Sequence, residues 1–127
     1  MGYTNSSLVN YVKLSPNNSG LRDHAIDRIS PHMVQGQCSV ETLGDIFANP
    51  DRDASSNYGL GFDARVGMYC EEKNRSWCTS SRSNDERAIT IEVASDKTKP
   101  YAVKDKVYQK LIALCYDICV RNGKKKQ

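Results

Sequence analysis

Ala88-Ile89-Thr90-Ile91-Glu92-Val93-Ala94-Ser95-Asp96 alternates cleanly. Ile89, Ile91 and Val93 fall on one face of an extended chain, and Thr90, Glu92 and Ala94 on the other. Its β-branched content favours a strand over a helix. Polar segments bound it on both sides, Asn84-Asp85-Glu86-Arg87 before and Asp96-Lys97-Thr98-Lys99-Pro100 after. A run this apolar reads as an interior strand, which puts Glu92 near the middle of the domain. A carboxylate there needs a cation, a metal site or a water-filled cleft, unless it lies on the solvated face of a half-covered sheet.

Working outward, Asp105 opens a helix expected over 104–121. Val107, Leu111, Leu114, Cys115 and Ile118 form its stripe and Gly123 its C′ residue. Upstream, Tyr58-Gly59-Leu60-Gly61-Phe62, the turn Asp63-Ala64-Arg65 and a return over 66–71 read as a hairpin. Residues 72–87 read as polar and irregular around Trp77. Ser39 is the expected N-cap of a short amphipathic helix over 40–48, with Val40, Leu43, Ile46 and Phe47 as its apolar stripe. Residues 25–31 alternate as a strand expected to end at Pro31-His32. Residues 1–24 read as a loose arm with a short strand near Leu8–Leu14. The class is α/β, a central mixed sheet with flanking helices.

The 127 residues suit one domain, and 39% hydrophobic with 26% charged residues is ordinary globular composition. A net charge of +3 is mild. Much of it sits in the tail Lys124-Lys125-Lys126, so neither nucleic acid nor membrane is an expected partner. No apolar run approaches membrane-span length, and Met1–Ser7 lacks the basic and apolar regions of a secretion signal. The five cysteines, Cys38, Cys70, Cys78, Cys115 and Cys119, are odd in number with no Cys-x-x-Cys spacing, so free thiols in a reducing compartment are expected.

Several stretches, in order, resemble one family: Ile29-Ser30-Pro31-His32, Gln37-Cys38-Ser39-Val40-Glu41-Thr42-Leu43-Gly44, Ser55-Ser56-Asn57-Tyr58-Gly59-Leu60-Gly61, Glu72-Lys73-Asn74-Arg75-Ser76-Trp77, Asn84 to Glu92, and Asp117 to Gly123. The family is the zinc-dependent N-acetylmuramoyl-L-alanine amidases of phage endolysins and bacterial autolysins, which share a fold with the peptidoglycan recognition proteins. The resemblance implies an amidase-like domain over 1–123, a basic tail over 124–127, and cleavage of the amide joining N-acetylmuramic acid to L-alanine of the stem peptide. It implies a zinc ion held by His32, Glu92 as general base, Tyr58 approaching the metal, and Trp77 walling the substrate groove. It also implies peptidoglycan as partner, and a cytoplasmic location until release to the cell wall. His24 is expected to have no metal role.

The sequence departs from that pattern in one respect. The family's second zinc histidine and its third ligand, cysteine or aspartate, follow the long C-terminal helix. Here only Gly123-Lys124-Lys125-Lys126-Gln127 follows, and no histidine comes after His32. Three explanations stay open: a truncated endolysin, a natural short form that binds muropeptide without cutting it, or a site in which His32 combines with other groups such as Cys38 or a second subunit. An absent segment would expose sheet surface and favour poor stability or self-association.

Overall fold

A computed structural model describes residues 3–123. The strands are β1 (Tyr11–Val12), β2 (Asn18–Leu21), β3 (Arg28–Val34), β4 (Tyr58–Leu60), β5 (Val66–Met68), β6 (Asn74–Ser76) and β7 (Ala88–Ala94). The helices are α1 (Val40–Ala48), α2 (Arg82–Asp85) and α3 (Asp105–Arg121), with a 3-10 turn at Pro50–Arg52. Five strands form one mixed sheet in the order β1-β5-β4-β7-β3, and β2 pairs with β6 in a separate ribbon. β7 is interior, as its apolar run requires, and is parallel to both β4 and β3.

Alternation along β7 divides the molecule. Ile89, Ile91 and Val93 join Tyr58, Leu60, Val66 and Met68 in a core closed by Val107, Leu114 and Ile118 of α3. The opposite face carries α1, whose Leu43 and Phe47 pack with Tyr69. The Phe47 and Tyr69 rings meet edge to face at 5.3 Å. Tyr69 lies against the sheet because Gly59 and Gly67 have no side chains there. A Cβ on Gly67 would sit 2.3 Å from the Tyr69 hydroxyl oxygen. That hydroxyl donates to the Val40 carbonyl at 2.7 Å. Ser39 caps α1 by accepting from Thr42 N at 3.0 Å.

Three expectations need correction. The third strand does not end at Pro31-His32 but continues to Val34. It is an edge strand, where proline's missing N–H costs no ladder bond. The N-terminal arm is tied down: β1 pairs with β5, β2 pairs with β6, and Ser15 N donates to Tyr69 O at 2.8 Å. Residues 72–87 hold β6 and α2. They are clasped by buried Arg22, whose guanidinium donates to the carbonyls of Glu72, Asn74, Asp85, Glu86 and Ala88 at 2.8–3.2 Å. Apolar surface is exposed at Tyr108, Ile112, Tyr116 and Val120 on α3. The tail over 124–127 lies outside the described residues.

Candidate active site

The parallel register of β3 and β7 sets His32 opposite Glu92. Neighbouring side chains in register share a face. His32 Nδ1 accordingly lies 3.0 Å from Glu92 Oε1. The pair is asymmetric: the His32 side chain is 65% exposed and that of Glu92 only 12%. Glu92 is thus a nearly buried carboxylate reached from solvent past an open imidazole.

A third group completes the cluster. Cys78 Sγ donates to the same Glu92 Oε1 at 3.4 Å. A His32 ring nitrogen, Cys78 Sγ and a Glu92 carboxylate oxygen all lie within 4.8 Å of one another. Burial first, then the charge of Glu92, pushes the Cys78 thiol well above its ordinary range. Its backbone is fixed by Asp85, whose carboxylate accepts from Cys78 N at 3.2 Å and from the Thr79 hydroxyl at 2.7 Å. Beneath the cluster, Thr90 shares a 2.7 Å hydrogen bond with Ser76, and its N–H donates to Asn57 Oδ1 at 3.1 Å. These bonds lock the end of β6 to β7 just before Cys78.

A groove of about 450 Å³ opens on this face, with Glu92 in its wall, Ile46 and Phe47 of α1 beside it, and Asp51 and Arg52 on its exposed side. Trp77 borders a separate pocket of about 180 Å³ with Arg75 and Arg82. Its indole Nε1 donates to Ser19 Oγ at 2.7 Å.

Tyr58 is corrected. It is fully buried on the α3 face, in register with Ile91 rather than Glu92. Its hydroxyl donates to Glu72 and accepts from Ser6 N at 2.8 Å. Burial and the neighbouring Glu72 raise its pKa far above the usual tyrosine range. Strand alternation therefore holds it away from His32 and Glu92, and it can neither approach a metal there nor touch substrate in the groove. Burial first, then the charge of Glu92, pushes the Cys38 thiol up, but the cysteine that joins the pair is Cys78. His24 stands apart, its Nδ1 2.7 Å from the Ala25 carbonyl oxygen.

Cys78 and the α1 groove escaped the sequence reading. Cys78 is separated from Glu92 by a loop and α2, so no spacing motif links them.

A family profile described as N-acetylmuramoyl-L-alanine amidase matches residues 17–127. Among solved structures, a mutant endolysin from Bacillus subtilis superposes with a TM-score of 0.74 at 16% identity, covering 92% of this chain and 79% of that one. A selenomethionine AmpD derivative gives 0.68 at 20% identity, covering 95% and 80%. PlyL gives 0.70 at 9% identity, covering 92% and 76%. No curated protein matches the sequence.

Proposed function

The chain belongs to the N-acetylmuramoyl-L-alanine amidase family, and from that premise we propose that it hydrolyses the amide between N-acetylmuramic acid and the L-alanine of the stem peptide, acting at the cell wall. The observation that carries the reading is the nearly buried Glu92 carboxylate, which lies in the wall of a groove and is paired with the open His32.

The family implies zinc, and the chemistry of the cluster suits it. An imidazole, a thiol and a carboxylate are the ligand types zinc takes, and they converge within 4.8 Å. His32 would hold the ion, which when bound acts as a Lewis acid on a carbonyl and lowers the pKa of water to about 7.

The remaining roles belong to the chain. Glu92 takes the proton of the attacking water and returns it to the leaving amine of L-alanine. Its recessed position limits competing solvent, while the 65% exposure of His32 leaves the approach open to a polymer substrate. Ile46 and Phe47 offer apolar surface to the stem peptide, and Arg52 offers a cation to its carboxylates. Trp77 offers an indole for the glycan side.

Glu92→Gln keeps the shape of the side chain and removes the base. The variant should fold normally and lose wall lysis by at least about 100-fold, within the range for a general base. Undiminished lysis would overturn the assignment. Loss of lysis in the parent chain itself, with muropeptide still bound, would make it a muropeptide-binding module.

A further inference from the structure

We propose that Cys78 is a metal ligand, so that the ion is held by His32 Nδ1, Cys78 Sγ and Glu92 Oε1. The inference rests on His32 and Glu92 being the reactive pair, and it adds a thiolate from the loop between β6 and β7. That loop lies before the central strand, in a different part of the fold from the segment following α3.

Three observations converge on it. Both contacts of the cluster fall on one carboxylate oxygen: Oε1 is 3.0 Å from His32 Nδ1 and 3.4 Å from Cys78 Sγ. All three candidate ligand atoms lie within 4.8 Å of one another, and a small inward shift of the open His32 side chain would bring them to the bonds of about 2.0–2.3 Å that one zinc ion takes. The loop is also built for precision. Asp85 holds the backbone N–H groups of Cys78 and Thr79, Ser76 is bonded to Thr90, and Trp77 N donates to Ser55 Oγ at 3.1 Å. A cysteine needed only for packing has no call for such anchoring on both sides.

The set has the composition of a catalytic site rather than a structural one: three protein donors of mixed type with a fourth position open. Nitrogen, sulfur and oxygen together favour zinc over magnesium or calcium, which take oxygen donors. Ligation proceeds with loss of the thiol proton to solvent, leaving the thiolate on the ion. Glu92 ligates through Oε1, which leaves Oε2 to accept a proton from water. One residue then both holds the ion and serves as base.

Cobalt(II) is the probe, because a cobalt–thiolate bond gives a near-ultraviolet charge-transfer band that nitrogen and oxygen ligands do not. The metal-free chain should bind one cobalt ion with that band, and zinc should displace it. Cys78→Ser should abolish the band and weaken binding by more than the 10–100-fold typical of outer-shell changes. Cys38→Ser and Cys119→Ser should retain it. Cys78→Asp should keep cobalt's visible absorption and lose only the charge-transfer band, which serves as the fold-preserving arm. A band that survives in Cys78→Ser or Cys78→Asp, or stoichiometric binding without any band, would overturn the assignment. Wall hydrolysis is read separately. Hydrolysis without a Cys78-dependent band overturns the ligand and spares the amidase; a Cys78-dependent band without hydrolysis does the reverse.

Discussion

Arg121→Met tests how the long helix is fastened to the sheet. Arg121 Nη2 donates to Glu72 Oε2 at 2.6 Å, and the Glu72 side chain is 1% exposed. Besides Arg121, that carboxylate receives the Tyr58 hydroxyl and, at 3.5 Å, Asn122 Nδ2. Removing the cation leaves a buried charge with two neutral donors. Breaking a buried pair from one side costs about 3–5 kcal/mol. Arg121 is itself 19% exposed, so water can enter where its guanidinium stood, and the lower end, about 3 kcal/mol, is expected. The bond from Arg121 Nε to Asp117 at 2.9 Å is a partly buried i,i+4 helical pair and adds only about 0.3–0.5 kcal/mol. At about 4 °C per kcal/mol for a domain this size, the melting temperature should fall by about 12 °C. Urea unfolding followed by far-ultraviolet circular dichroism is the assay, with the midpoint shifted and the slope unchanged. Glu72→Gln in the same background removes the stranded charge, so the double variant should recover stability over Arg121→Met alone. A loss under about 0.5 kcal/mol, or a double variant no better than the single, would refute this reasoning.

Gly59→Ala would place a Cβ 2.8 Å from Tyr69 Cε2 and 2.9 Å from Leu43 Cδ1. Overpacking of this kind should cost about 1–3 kcal/mol by thermal denaturation, whereas Gly36→Ala, with open space around it, should stay within about 0.5 kcal/mol. Asp27 is held below its ordinary 3.8 chiefly by the hydrogen bonds of Arg87, one of them 2.9 Å long. A depressed carboxyl contributes stability above its unfolded pKa and loses it as pH falls through the folded value. The stability difference between the parent chain and Asp27→Asn should therefore be constant at neutral pH and shrink below about pH 4. A difference that grows on acidification would contradict the pairing.

The amphipathic patterns were legible because each carries its own period. The α3 stripe, the Ser39 cap and the two faces of β7 follow from residues a few places apart, and the structure bears out all three. Pro31 misled because proline reads as a stop until the strand is known to be an edge. Tyr58 was misplaced for want of register. Yet Tyr58-Gly59-Leu60-Gly61 already set the two large residues on one face, which is the apolar one. Cys78 was invisible for a different reason. Its approach to Glu92 depends on Arg22 gathering five carbonyls, a long-range closure, and on Asp85 folding back on its own loop, and neither carries a sequence period.

The most direct measurement is the mass of the products released from a defined muropeptide by the zinc-loaded chain. An amidase yields a glycan fragment ending in a free lactyl carboxylate and an intact peptide beginning with L-alanine, the two together heavier than the substrate by one water. Unchanged muropeptide, or products split within the glycan or within the peptide, would contradict it.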